Sequence, residues 1–538
     1  MEQLFSKVFA HIKLKLIKMK KIFLFICFIL IFACKKTDLK PNFLFIVVDD
    51  LGYYDLSVMG SSFYETPNID RIAKEGTLFK QGYANASVCS PSRASLLTGF
   101  YPTNHGITDW IGAKSGIDWR TKGRKTKLLP SNYVNHLPFE MITLPEVFLS
   151  NDYKTFFAGK WHLGSLKEKS LPTDHGFEIN KGGYRMGGPY SGGFFSPFNN
   201  PFLEDKPEEK GISLSMKLAQ ETANFIRENK ENKFFAYLSF YAVHAPIQTS
   251  KGKWERYRDK AEAQGILEEG FFMEKRLPMR IKQDSPVYAG LVEQTDDAVG
   301  HVLQTLDELN LEKNTVVIFV SDNGGVSAGD AFATSNLPLR GGKGYQWEAG
   351  TKTPFFIKTP QLNIHEKKID TPVMGADLFP TLLELAGIEN PVEVDGKSLV
   401  PLLKGETFGE RPIFWHYPHY GNQGGDPSAI VRMGNWKLIK YFEDGKNELY
   451  NLKNDIGEKM NIVNQHPKIA SKLNKTLEEW LISTNAKIPE VDPVYNKEEE
   501  KKWLNQHKIK IKEKVEKRRK DELKPDYKPN SDWWGSSI

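Results

Sequence analysis

Four short, nearly continuous apolar runs, each closed by a polar cluster, constrain the fold of this 538-residue chain more than any other feature. One follows Asn42 and ends in Asp49-Asp50. A second follows Thr155 and ends in Lys160-Trp161-His162. A third runs from Phe234 to His244, and a fourth follows Asn314 and ends in Asp322-Asn323. Apolar residues without alternation suit strands buried on both faces of a mostly parallel sheet, because such strands have no solvated side to pattern. Helical periodicity separates them, over 68–76, 213–229 and 287–309. Strands alternating with helices predict an α/β fold, a mostly parallel central sheet flanked by helices, with its site at the carboxyl ends of the strands. All four polar clusters fall there. No repeat period recurs along the chain, which argues against a solenoid.

From about residue 406 the texture changes to short β-like pieces, over 429–442 and 448–452, and then to a helical pattern over 467–481. The expected organisation is an N-terminal extension and signal over 1–33, a large α/β domain over 34–405, and a small α+β domain with an antiparallel sheet over 406–490. A charged tail then occupies 491–538. Between Lys497 and Lys524 that tail is dominated by Lys and Glu, and such dense mixed charge reads as a solvated helix or a loose tail. Trp533 and Trp534 are placed to pin its end to the body.

Charge must be located before it is interpreted. The formal net charge is +6, from 73 Lys and Arg against 67 Asp and Glu. Residues 1–33 hold Lys7, Lys13, Lys15, Lys18, Lys20 and Lys21 against Glu2 alone, which accounts for nearly all of the excess. The rest of the chain is close to neutral and offers no charge argument for nucleic acid; any anion site must be local. Lys18, Met19, Lys20 and Lys21 precede an apolar run over 22–33 that is short for a membrane span, the pattern of an export signal with Met19 as the better start. Ile31-Phe32-Ala33-Cys34 resembles a bacterial lipobox, implying an exported protein anchored to the outer membrane by lipid on Cys34, in the periplasm or at the cell surface. Plain secretion is the alternative. Cys27 lies inside the segment that would be lost, so the processed chain keeps Cys34 and Cys89 and has no pair for an internal disulfide.

The most specific motif is Cys89-Ser90-Pro91-Ser92-Arg93, followed by Leu97-Thr98-Gly99. A helix starting near Pro91 would turn free N–H groups toward an anion there. Asp49-Asp50 and Asp322-Asn323 add oxygen donors at two strand ends. Either pair alone could be a turn signal, but four oxygen ligands without His or Cys suit Ca²⁺ or Mg²⁺ over zinc. Gly159-Lys160-Trp161-His162-Leu163-Gly164, His244-Ala245-Pro246 and Gly341-Gly342-Lys343-Gly344 complete the set. Side-chain alternation along a strand would point Lys160 and His162 the same way.

In these motifs the chain resembles the type I, formylglycine-dependent sulfatases of the alkaline-phosphatase-like superfamily, as found among bacterial carbohydrate sulfatases. The resemblance runs over about 41–405 and more loosely through 431–452. It makes 34–405 the catalytic sulfatase domain, with Cys89 oxidised by a maturation enzyme to formylglycine. It implies Ca²⁺ held by Asp49, Asp50, Asp322, Asn323 and the modified Cys89. It further implies that the formylglycine hydrate attacks sulfur with Arg93 in support, that Lys160 and Lys343 bind the sulfate, that His244 with Lys343 protonates the leaving alcohol, and that His162 assists release of the sulfate. One departure stands out: relatives often read Glu-Gly-Gly-x-Arg where this chain has Glu348-Ala349-Gly350-Thr351-Lys352, which keeps a charge but loses a bidentate fork.

An aromatic- and Gly-rich insert over 182–202, together with Trp110, Tyr184, Arg185, His416 and His419 as pocket candidates, is consistent with a sulfated carbohydrate, and by analogy with an algal or host glycan fragment. Two rival readings differ in class. One is phosphoester or phosphonate hydrolysis, which the same fold hosts; the other is a non-catalytic glycan-binding lipoprotein that keeps an unmodified cysteine.

Overall fold

The four apolar runs lie side by side in the computed structural model, which describes residues 1–32, 40–190 and 192–530. They form the centre of an eight-stranded sheet in the order Lys367–Ile369, Thr77–Phe79, Phe355–Lys358, Thr315–Ser321, Asn42–Val48, Phe234–Ser239, Lys154–Gly159, Ile179–Lys181. Asn42–Val48 pairs in parallel with Thr315–Ser321 on one side and Phe234–Ser239 on the other, and the latter pairs in parallel with Lys154–Gly159. Phe355–Lys358 is the antiparallel exception.

The absence of alternation has the expected cause. Leu44, Ile46 and Val48 enter one hydrophobic core with helices Leu214–Glu228 and Pro286–Glu308, while Phe43, Phe45 and Val47 enter a second core on the opposite face. The helices fall where the periodicity places them. Ser213 caps the first by accepting the Met216 N–H, and Ser285 caps the second by accepting that of Tyr288, each satisfying an otherwise orphaned donor.

Beyond the main sheet, Ile413–Tyr417, Ser428–Met433, Trp436–Tyr441 and Asn447–Asn451 form an antiparallel meander. Helix Pro467–Ser483 covers it through Leu473 and Leu477. Residues 41–538 make one unit and 1–40 another. In the latter, Glu2–Phe32 is helical, and among the described residues no helix is long and apolar enough to cross a membrane. Cys34, Trp533 and Trp534 lie outside the described residues.

The charged tail differs from expectation. Lys497–Asp521 is a helix whose N-cap Asn496 accepts the N–H groups of Glu498 and Glu499, with acidic residues in its first turn and basic ones in its last, each complementing the macrodipole. Its Ile511, Val515 and Arg519 are buried. Four-residue spacing gathers these three into one stripe, so a narrow packed face exists inside a sequence whose average composition is that of a solvated tail. Arg519 Nη1 lies 3.3 Å from Asp284 Oδ2, and the Trp254 indole N–H donates to the Glu522 carbonyl at 2.8 Å.

Candidate active site

Asp49 and Asp50 leave the end of the Asn42–Val48 strand fully buried, and Asp322 and Asn323 leave the neighbouring Thr315–Ser321 strand in the same state. Parallel register brings the two ends together: the Asp50 N–H donates to Asp322 Oδ1 at 3.2 Å, and Asn323 Nδ2 donates to Asp50 Oδ1 at 2.8 Å. Oxygens of Asp49, Asp50 and Asp322 all lie within 4.8 Å of one another.

Cations hold these carboxylates. Lys160 Nζ lies 2.6 Å from Asp49 Oδ2, Lys343 Nζ 2.8 Å from Asp50 Oδ2, and Arg93 Nε 2.7 Å from Asp322 Oδ2. Arg93 also donates to the Lys160 carbonyl at 2.8 Å and to Ser239 Oγ at 2.6 Å, so it braces three strand ends from beneath. Burial opposes charge on Asp322, but Arg93 and Lys160 outweigh it and hold the carboxyl at about 2. Burial, reinforced by Asp322 and Asp50, keeps Asp49 well above the usual carboxylate range in spite of Lys160. Asp49 Oδ1 and Asn323 Oδ1 are buried without a hydrogen-bond partner. Crowded carboxylates with orphaned oxygens are the donor set of a hard divalent cation, and the residues present fit one.

Cys89 opens helix Cys89–Thr98, with Sγ 3.9 Å from Asp50 Oδ1. Burial pushes its thiol well above the ordinary range, so an unmodified Cys89 is a poor nucleophile here. It lines a cavity of about 390 Å³ together with Trp110, His162, Tyr190, His244 and Lys343.

The two histidines present different nitrogens. His162 Nε2 lies 3.1 Å from the Ile111 carbonyl, while Nδ1 is buried without a partner. A carbonyl can only accept, so Nε2 carries the proton and Nδ1 is a bare base. Burial, then the charge of Lys160, holds His162 well below its ordinary value and keeps it neutral. His244 Nδ1 donates to the Ala245 carbonyl at 2.7 Å, which leaves Nε2, 3.8 Å from Asp50 Oδ2, facing the site.

Lys160 and His162 both reach the site, though not by strand alternation. The strand ends at Gly159, and His162 adopts a left-handed backbone conformation, φ 56°, that carries it round; such strain in a non-glycine residue is typical of functional sites. The insert contributes through Tyr190 and not through Tyr184 or Arg185: Tyr190 lines the cavity, while Tyr184 supplies its carbonyl to the His162 N–H at 3.1 Å. His416 and His419 do not line it. Both are buried, His416 Nε2 against the Lys487 carbonyl at 2.8 Å and His419 Nε2 against Thr108 Oγ1 at 2.9 Å.

Besides Tyr190, the lining residues Lys122, Asp330, Asn422 and Gln423 escape sequence reasoning. Asp330 lies 3.1 Å from Lys343, Gln423 donates to Asp330, and Asn422 comes from the same loop of the meander. None belongs to a periodic or motif-like segment. The motif departure lies off the cavity: Lys352 is buried over the Tyr53 ring at 4.7 Å, and Glu348 pairs with Lys437 of the meander at 3.1 Å. Arg432 hydrogen-bonds Tyr83, which in turn donates to Glu348 at 2.6 Å, so the guanidinium absent at position 352 has a counterpart near Glu348.

An α/β sheet that ends in a carboxylate cluster, two lysines, two histidines and a cysteine at a helix start defines a hydrolase of anionic esters. Comparison with known proteins then settles the family. The Sulfatase family model matches residues 41–388, and the model for the N-sulphoglucosamine sulphohydrolase C-terminal region matches 342–487. The chain belongs to the sulfatase family and is a sulfuric ester hydrolase. A sulfatase of Formosa agariphila is 30% identical over 528 residues, spanning 84% of this chain and 90% of that one. Human N-acetylgalactosamine-6-sulfatase is 31% identical over 405 residues, 70% of this chain and 68% of its own. Among solved structures, Ps i-CgsB in complex with k-i-k-neocarrahexaose is 26% identical with a TM-score of 0.65, covering 89% of this chain and 99% of that one.

Proposed function

We propose that this sulfatase removes sulfate esters from sulfated oligosaccharides or polysaccharide fragments, with Cys89 converted to formylglycine by a maturation enzyme and Ca²⁺ held by Asp49, Asp50, Asp322 and Asn323. The observation that carries it is that Cys89, with Sγ 3.9 Å from Asp50 Oδ1, lines one cavity with His162, His244 and Lys343. When present, the hydrated aldehyde supplies the attacking oxygen and the cation a Lewis acid for charge on the sulfuryl group.

The chain's own side chains do the rest. With a cation held by Asp49, Asp50, Asp322 and Asn323, Lys160 and Lys343 would be available to the tetrahedral sulfate, which compact ammonium groups approach from several directions. Lys343, held protonated beside His244 Nε2, supplies with it the proton for the leaving alcohol, and the bare Nδ1 of His162 takes one as sulfate departs. The sugar reading draws on the relatives, whose names include an N-acetylgalactosamine sulfatase and a carrageenan oligosaccharide complex.

A mass spectrum of the peptide containing Cys89 tests the reaction class: an aldehyde in place of the thiol is expected, and a wholly unmodified thiol in active enzyme refutes it. Faster cleavage of an aryl phosphate than of the matching aryl sulfate would favour the phosphoester reading. Export as a lipoprotein rests on the N-terminal sequence; Cys34→Ala should release the protein from membranes, and continued sedimentation with them would refute the anchor.

A further inference from the structure

The catalytic cavity does not stop at Lys343. Lys122, Asp330 and Asn422 line it and also line a second cavity of about 340 Å³, so the two adjoin across these residues. The far chamber is walled by Arg124, Arg276, Tyr420 and, from the C-terminal helix, Trp503 and His507. Its charge is uneven. Arg276 is balanced by Asp426, Glu443 and Glu500 at 3.4 to 3.8 Å, and Asp330 by Lys343. Lys122 and Arg124 have no ion-pair partner among the described residues; Arg124 is half-buried, donates only to the Gly421 carbonyl and Asn422 Oδ1, both at 3.1 Å, and lies over the Trp119 ring. A half-buried guanidinium without a carboxylate retains binding capacity for an oxyanion.

Trp503 lines the same chamber, half-exposed and packed on His507 with ring centroids 4.2 Å apart. The wall is held in place from the same segment that carries the cations: Arg120 pairs with Asp492 at 2.6 Å, Lys125 with Glu499 at 3.1 Å, and residues 128–129 pair with 490–491 as strands. An aromatic side chain and an unpaired cation lining one chamber are what a sugar ring bearing an anionic group requires.

We propose that this second chamber is a subsite for a neighbouring anionic sugar of the substrate, with Arg124 and Lys122 binding its sulfate or carboxylate and Trp503 stacking on its ring. The proposal rests on the reading of the first cavity as a sugar-sulfatase site. It makes the enzyme selective for oligosaccharides that carry charge on adjacent sugars, and gives the C-terminal helix a role in specificity.

The test compares kcat/KM of the parent, Trp503→Ala and Arg124→Ala on four substrates: para-nitrophenyl sulfate, a monosulfated galactose, an iota-carrageenan tetrasaccharide with sulfate on each sugar, and a chondroitin sulfate tetrasaccharide with alternating carboxylates. The parent should prefer at least one tetrasaccharide over the monosaccharide by roughly tenfold or more, about the value of one charge-assisted hydrogen bond. Each variant should erase that preference and keep parental turnover of the aryl sulfate, and the tetrasaccharide preferred identifies the anion. Equal losses on aryl sulfate and tetrasaccharide, survival of the preference in both variants, or no preference in the parent overturns the subsite. A parent inactive on the aryl sulfate and on every sugar sulfate overturns instead the reading of the catalytic cavity.

Discussion

Lys160 Nζ sits 2.6 Å from Asp49 Oδ2 with neither side chain exposed to solvent. Removing one member of such a pair leaves a buried charge uncompensated, at a cost of roughly 3–5 kcal/mol. A divalent ion on the carboxylates would take over that compensation. Lys160→Met should therefore lower the thermal midpoint more in chelator than in excess Ca²⁺, while turnover falls in both. Equal destabilisation under the two conditions, measured by thermal denaturation, would count against a cation beside Asp49.

Gly187 is pressed against His162, and a Cβ built there would come 2.6 Å from ring carbon Cε1 and 3.0 Å from Nδ1. Gly187→Ala should displace the imidazole and lower kcat by roughly a hundredfold, the scale of a lost general base. The thermal midpoint should change little, because the side chain of His162 is the part that gives way and its one lost hydrogen bond is that to the Ile111 carbonyl. A kcat within twofold of the parent would remove His162 from the proton path.

Cys89→Ala deletes one buried sulfur and should cost only about 1 kcal/mol of stability, as small core truncations do. Turnover should vanish. Parent-like activity in that variant would refute Cys89 as the source of the nucleophile.

Burial raises the carboxyl of Asp109 to about 7, against hydrogen bonds from the Trp110 N–H and the Tyr417 hydroxyl. The folded state then holds a proton that the unfolded chain releases near pH 4, so this group favours folding less as pH rises from about 4 to 7, with a slope of about 1.4 kcal/mol per pH unit. Asp109→Asn should abolish that slope and be relatively more stable at pH 7 than at pH 4. Parallel stability curves for variant and parent from chemical denaturation would contradict the shift.

Much of this architecture is legible in the chain because burial on both faces of a strand leaves an unbroken apolar run, and the four strands that carry the site are of that kind. The Cys89 to Gly99 segment is equally readable, since its chemistry depends on fixed local spacing. Asp330, Gln423, Asn422 and Tyr190 are not, because each is a single polar residue on a loop whose position is set by distant packing. His416 and His419 mislead for the converse reason: a histidine beside aromatic residues looks the same in sequence whether it faces a ligand or a carbonyl. The C-terminal helix hides its packed face because Ile511 and Val515 stand alone among lysines and glutamates.

Asp50 and Asp322 meet although they stand 272 positions apart in the chain. The contact joins strand ends that are far apart in the chain, and such non-local pairing pays loop-closure entropy before it is rewarded. Cys89 is synthesised well before Asp322, and the folded chain buries it. If a maturation enzyme acts on this cysteine, its opportunity lies in the interval before the two strand ends meet, and variants that hasten their meeting should leave more of the protein unconverted.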